Sequence, residues 1–250
     1  MISLSERADE LEHRMAMDLE ERVPIRSPIY RSGERDPRAN DHEMDTAIKA
    51  GRKILMGPDP RLPPMPEKPT LVDFFRLRFG NTQHMLQSAR LARINGHEEK
   101  VILACLLHDI SVTGFIGGDH GYWGAQMIEP YVDEEVCWAV RAHQVLRFFP
   151  DSSVGYEYPE AYIRFFGEDF RPEPYIYKAY EQMKDHRYYM TGRLITMNDI
   201  YAFDPDVRAE LDDFTDIIGR HFRQPEEGLG LDHSPSAHIW RTMMWPTRAL

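Results

Sequence analysis

Val101-Ile102-Leu103-Ala104-Cys105-Leu106-Leu107-His108-Asp109 decides how this chain folds. Val101 to Leu107 is an apolar run of helical character, and it ends on an adjacent imidazole and carboxylate. A polar or charged group set this close to a core face is costly to bury unless something charged pairs with it. A metal ion is the obvious partner. Four more candidate ligands, His84, His120, His143 and Asp199, lie at helix-scale separations on either side, and the six are read as one metal site.

Working outward, the chain reads as helix after helix from Thr70 onward. Thr82 is placed to cap a helix through Gln83–Ala92, stopped by Asn95-Gly96. Glu98–Asp109 forms the next, and Gly114–Gly118 is a loop. Asp119 is a candidate N-cap for Gly121–Tyr131, and Asp133 for the amphipathic helix through His143 and Leu146. Pro150–Pro159 reads as a loop, followed by helices near Glu160–Phe166, Glu173–His186, Tyr188–Phe203 and Val207–Phe222. Residues 1–22 carry Leu4, Leu11, Met15 and Leu19 at helical spacing, and a short helix is expected over Glu43–Leu55. The proline-dense stretch Gly57–Pro66 cannot be helix and marks the boundary of an N-terminal extension. The expected organisation is an extension over 1–69, a catalytic core over 70–228 and a tail over 229–250, all of it α-helical, with no convincing strand.

Composition narrows the functions. The chain has 250 residues, 42% hydrophobic and 28% charged, which is ordinary for a globular protein. The formal net charge of −11 argues against wholesale nucleic-acid binding. Cys105 and Cys137 sit in apolar helical stretches and imply no disulfide framework. The polar opening, with Glu6, Asp9 and Glu10, is unlike a signal peptide, and no apolar run approaches the roughly 20 residues needed to span a bilayer; a cytoplasmic location is the default expectation.

Imidazoles and carboxylates without thiolate suit iron, manganese, cobalt or zinc. Six ligands exceed one closed tetrahedral zinc and fit two ions sharing a carboxylate, for which Asp109 is placed. Asp199 lies among Leu194, Ile195, Met197 and Ile200, where an unpaired carboxylate would be expensive. His13, His42, His97, His186, His221, His233 and His238 are assigned to ordinary surface or core roles. Arg147 lies one helical turn after His143, facing the same way, and could hold a phosphonate or carboxylate bidentately. Gln87, one turn after His84, is the other candidate for contact near the substrate. Lys178 and Arg193 are additional candidate anion contacts, with a solvated charge as the preferred reading of each.

The ordered set His … His-Asp … His … His … Asp resembles the HD-domain superfamily, and within it the small HD-domain mixed-valent diiron oxygenases that cleave hydroxylated organophosphonates; myo-inositol oxygenase is a more distant likeness. Thr82–Ala89, Ala104–Ile110, Asp119-His120 with Gly124-Ala125, His143 with Arg147, and Asp199 with Ala202 carry the resemblance. It implies an all-α HD-domain helical bundle with an N-terminal helical extension and a C-terminal tail. It implies one iron held by His84, His108, Asp109 and Asp199, and a second by the bridging Asp109 with His120 and His143. His108 and Asp109 would be catalytic, with Arg147 and Gln87 as substrate contacts. The implied cofactor is a mixed-valent Fe(II)/Fe(III) pair, with manganese, cobalt or zinc as alternatives. The implied reaction uses dioxygen to cleave a C–C or C–P bond of a small hydroxylated anionic substrate, with neither nucleic acid nor membrane as partner. The alternative is a metal-dependent HD-domain phosphohydrolase; a helical binding protein with a structural metal comes third. Many HD phosphohydrolases carry a lysine, and the phosphonate oxygenases a histidine, where this chain has Val112; the tyrosine those oxygenases carry before the first ligand helix has no counterpart in Arg78-Phe79-Gly80-Asn81. The aromatic residues Phe148, Phe149, Tyr156, Tyr158, Tyr162, Phe165 and Phe166 suggest a pocket less polar than theirs. The extensions are expected to cover the site mouth or to make a homodimer contact.

Overall fold

In the computed structural model, which describes residues 62–80, 82–114, 118–160, 162–163, 167–231, 234 and 236–244, every regular element is helical; an isolated bridge pairs Asp151 with Tyr156. The helices expected over 1–22 and 43–55 lie outside the described residues, as does most of Glu160–Phe166.

Thr70 opens the first helix, α1 (Leu71–Leu77), with a capping box: its Oγ1 accepts from Asp73 N–H, and the Asp73 carboxylate accepts from Thr70 N–H at 2.8 Å. The second helix, α2 (Gln83–Ile94), starts where expected but not by the expected means. Thr82 is itself helical and makes no side-chain cap. The decisive run forms α3 (Glu99–Leu107), and every residue from Val101 to Leu107 is buried. A helix that is apolar all round must be covered on every side, and α3 packs against α2, against α6 (Glu134–Leu146) and α8 (Tyr189–Asp199), and against α9 (Thr215–His221). Asp133 caps α6 as expected, accepting from Val136 N–H at 2.9 Å.

Between α3 and α6 lie α4 (Ile110–Gly114) and α5 (His120–Ile128). Asp119 precedes α5 without capping it. Its φ of 47° is left-handed, and its carboxylate accepts from the Tyr175 hydroxyl at 2.7 Å, on α7 (Pro174–Met183). The expected helix over Val207–Phe222 is also corrected. Residues 207–210 are irregular, and a 3₁₀ turn, Leu211–Phe214, leads into α9. Two glutamines of α2 explain this. Gln83 donates to Ala209 C=O and accepts from Ala209 N–H, while Gln87 donates to Asp204 and Val207 C=O and accepts from Asp204 N–H. Backbone groups held by side chains are not free to start a helix.

Residues 237–244 form α10 (Ala237–Met244), which is built into the core: Trp240 is fully buried, edge-on to Phe74 with ring centroids 4.8 Å apart. Arg78, buried, donates to the carbonyls of Pro63, Met243 and Met244, tying residue 63 and the end of α10 to α1. Leu62 is buried and Leu229 N–H donates to Pro69 C=O, so the described part of the N-terminal extension also packs on the core. No helix among the described residues is long and apolar enough to cross a membrane.

Candidate metal centre

All six expected ligands converge. His84 comes from the first turn of α2, His108 and Asp109 from the turn that ends α3, His120 from the start of α5, His143 from α6 and Asp199 from the end of α8. His108 and His143 are fully buried, His120 nearly so, and the Asp109 side chain keeps the largest opening, at 19% exposed.

The two oxygens of Asp109 divide the cluster. Oδ2 lies 3.5 Å from His84 Nε2 and 3.7 Å from His108 Nε2; Oδ1 lies 3.4 Å from His120 Nε2 and 3.7 Å from His143 Nε2. Asp199 Oδ1 joins the first group, 2.9 Å from His84 Nε2 and 3.6 Å from His108 Nε2. One carboxylate is thus shared between two clusters of donors.

Backbone carbonyls set the rings. His108 Nδ1 faces Cys105 C=O at 2.7 Å, His143 Nδ1 faces Val140 C=O at 2.6 Å and His84 Nδ1 faces Ala202 C=O at 3.1 Å. A ring nitrogen facing a carbonyl carries the proton, so these Nδ1–H groups donate and each Nε2 lone pair points inward, the arrangement of ligating histidines. His84 and His108 then present two Nε2 atoms 3.0 Å apart. Two bare lone pairs at that distance repel unless a proton or a cation joins them. Two nitrogens each about 2.1 Å from one ion, at right angles, are about 3.0 Å apart. The donor set therefore fits a pair of cations. The ring of Phe203 stacks flat on His84, centroids 4.1 Å apart, and fixes it further.

The electrostatics of the side chains point the same way. Burial opposes a charged His108, but Asp109 and Asp199 outweigh it and raise its pKa to about 9. Burial lowers His120 to about 3 against the pull of Asp109, with His143 and Arg147 adding to the fall, and burial lowers His143 as well. Burial also works against the charged forms of Asp109 and Asp199, yet the histidines hold both well below the ordinary carboxylate range. A proton on His108 stands in for a positive charge that the carboxylates demand. A divalent cation must displace it, so loading at pH 7 is expected to release about one proton, with affinity rising about tenfold per pH unit up to pH 9 and levelling above it. Calorimetry in buffers of different ionisation enthalpy measures this; proton-independent loading between pH 7 and 9 would contradict it.

Gly121 sets the spacing of the second group. A Cβ there would lie 2.9 Å from Arg141 C=O and 3.1 Å from Val140 C=O, so α5 can approach α6 this closely only at a glycine. Gly121→Ala is expected to push His120 away from His143, to cost about 1–3 kcal/mol of stability, and to lower the metal content per chain. Elemental analysis with a melting curve tests both effects.

Arg147, the C-cap of α6, is half-buried; its guanidinium lies 4.9 Å from the Phe148 ring and 5.5 Å from the Tyr162 ring, and its buried Nε has no hydrogen-bond partner among the described residues. Gln87 is on the ligand side of α2, but its carboxamide is committed to the backbone of Asp204 and Val207, which makes it an anchor for that loop rather than a substrate contact. Lys178 is exposed as expected. Arg193 is not: it is fully buried, donating to Leu146 C=O and the Tyr189 hydroxyl, with its guanidinium 4.7 Å from the Tyr156 ring. Sequence reasoning missed it because its partners, apart from Tyr189 one turn earlier, are remote in the chain. It also missed Phe203, although an aromatic four residues after Asp199 falls on the same helical face. Of the other histidines, His186 stacks on Trp138 with centroids 4.2 Å apart, and His221 pairs with Glu99 at 2.7 Å.

Residues 82–160 match the family model of the HD domain, a span holding His84, His108, Asp109, His120 and His143 but not Asp199. No curated protein matches the chain. The match supports the HD-domain superfamily, and with the converging His/Asp cluster it points to a metal-dependent enzyme on an all-α HD bundle.

Proposed function

We propose that this chain is a non-haem diiron oxygenase that uses dioxygen to cleave a C–C or C–P bond of a small hydroxylated, anionic substrate. The observation that carries the reading is the division of Asp109 between two histidine pairs, Oδ2 toward His84 and His108 and Oδ1 toward His120 and His143. A nitrogen–oxygen donor set without thiolate suits iron, and a bridging anion offsets the repulsion of two close cations. His84, His108, Asp109 and Asp199 would hold one ion; Asp109, His120 and His143 the other. When bound, the iron pair supplies the redox chemistry with dioxygen.

The chain's own residues do the rest. Arg147, whose charge is felt at His120 and whose buried Nε–H has no partner among the described residues, would receive the anionic group of the substrate, and Tyr156 fixes the end of α6 by donating its hydroxyl to Arg147 C=O at 2.7 Å. Phe203 shields one face of His84. Val112, 36% exposed on the turn after Asp109, brings no charge or proton to a phosphoryl group, which weighs against hydrolysis and equally against an unchanged phosphonate substrate. Arg147→Ala is expected to raise the KM for the substrate at least tenfold, since a charge-assisted contact contributes roughly 1.5–3 kcal/mol, with metal content unchanged. Steady-state kinetics beside elemental analysis reads this, and an unaltered KM removes Arg147 from the pocket.

One rival shares the paired arrangement. Two cations on a bridging carboxylate also suit a phosphohydrolase, in which they activate water and clamp a phosphoryl group. Metal analysis with oxygen uptake separates the two. Two irons per chain, a mixed-valent EPR signal and oxygen consumption support the oxygenase; manganese-stimulated phosphate release from model esters without oxygen uptake overturns it.

A further inference from the structure

The metal centre has a neighbour. Beyond residues 202–207, α2 and α8 line a second cleft of ≈460 Å³, within the range of cavities that take small organic ligands. Its wall is mainly apolar, with Leu91, Met197, Tyr201 and Val207 among the lining residues, and Arg90 is also part of it. Arg90 is half-buried and makes no hydrogen bond or ion pair with any described residue. The carboxylate of Asp204, also at the cleft, is turned to its own loop, where Oδ1 accepts from Asp206 N–H at 3.0 Å. A guanidinium in a mainly apolar wall, in a cleft whose lining carboxylate, Asp204, has its Oδ1 taken by Asp206 N–H, can hold an anion that enters with its own apolar body.

The cleft and the metal centre share one seam. Gln87 holds Asp204 and Val207, both lining residues, by hydrogen bonds of 2.7–2.9 Å. Immediately before them in the chain, Ala202 C=O accepts from His84 Nδ1–H and Phe203 stacks on the His84 ring. Whatever displaces Asp204 and Val207 therefore pulls on the residues that orient a ligand imidazole.

We infer that this cleft is a second ligand site, for a small organic anion with an apolar body, and that its occupancy is coupled to the metal centre through residues 202–207. The inference needs the metal centre but not the oxygenase reading. Coupling of this kind is reciprocal: an occupant that alters metal affinity has its own affinity altered by the same factor.

The probe is 1-anilinonaphthalene-8-sulfonate, with N-phenyl-1-naphthylamine as the same ring system without the anion, each titrated by fluorescence into the full chain. The sulfonate is expected to bind one saturable site. Arg90→Met should weaken it at least tenfold while leaving the neutral amine within twofold; Leu91→Trp, which fills the cleft, should weaken both. Manganese affinity, read from the EPR signal of free ion, should shift at least threefold when the sulfonate saturates the wild-type chain and not shift in Leu91→Trp. Sulfonate binding unchanged in both folded variants overturns the site, equal loss of both dyes in Arg90→Met overturns its preference for anions, and a manganese affinity indifferent to the sulfonate overturns the coupling.

Discussion

Asp109→Asn is expected to empty both halves of the metal centre at once and to abolish turnover. The asparagine keeps the shape of the side chain but removes its charge and replaces one oxygen by an N–H₂ donor, which cannot ligate. Because Oδ1 and Oδ2 serve different histidine pairs, at 3.4–3.7 Å on each side, the His120/His143 group loses its carboxylate and the His84/His108 group is left with Asp199 alone. Two cations held close together without a bridging anion repel each other. The loss should exceed the roughly 10–100-fold effect of removing a supporting hydrogen bond around a metal, and added metal should no longer raise the melting temperature, since stabilisation by a ligand requires that the folded state bind it. His186→Ala is the matched control. It removes a histidine that stacks on Trp138 outside the cluster, and it should keep full metal content. An Asp109→Asn protein with an undiminished metal complement would refute the shared-carboxylate centre.

The ligands were legible because their setting is improbable without a metal. His108-Asp109 closes a run that must be buried, and Asp199 sits among apolar neighbours, so the cost of burying a charge pointed to both. The orientation of His108 and His143 was also within reach: each Nδ1 meets the carbonyl three residues earlier, Cys105 or Val140, a relation that helix geometry supplies. The all-helical architecture followed from periodicity and from the cap at Asp133. What escaped the sequence depended on groups far along the chain. Gln87 was correctly placed on the His84 side of α2, but its partners lie 117 and 120 residues away, and they turn a candidate substrate contact into a loop anchor. The same clamp explains why a helix was expected from Val207 and begins only after the 3₁₀ turn at Leu211–Phe214. Arg193 reads as a solvated charge in any local window; only the fold brings Leu146 C=O and the Tyr156 ring to it. Asp119 has the composition of an N-cap, yet the Tyr175 hydroxyl takes its carboxylate. Local rules settled elements and ligand types; long-range hydrogen bonds settled what the polar side chains are for.

Trp240→Ala is expected to cost about 3–5 kcal/mol, the usual loss for deleting a buried large aromatic side chain. From sequence, residues 229–250 read as a tail, and deleting an aromatic ring from a tail should cost almost nothing. In the structure Trp240 is fully buried, edge-on to Phe74 at 4.8 Å and to Tyr131 at 6.2 Å, and its Nε1–H donates to Met127 C=O at 2.9 Å, on the last turn of the helix that begins with His120. The alanine leaves a ring-sized cavity and a buried carbonyl without its donor. Trp240→Phe separates the two contributions: it retains most of the packing and should lose only about 1–3 kcal/mol, the cost of leaving a buried acceptor unsatisfied together with a smaller void. Denaturant titration of the two variants reads the difference directly. Because all six ligands lie on other helices, both variants should bind metal while folded, with the alanine protein losing it at a lower temperature than the wild type. A Trp240→Ala protein within 1 kcal/mol of wild type, by the scale of an exposed aromatic, would mean that α10 is not part of the core that holds His120 in place.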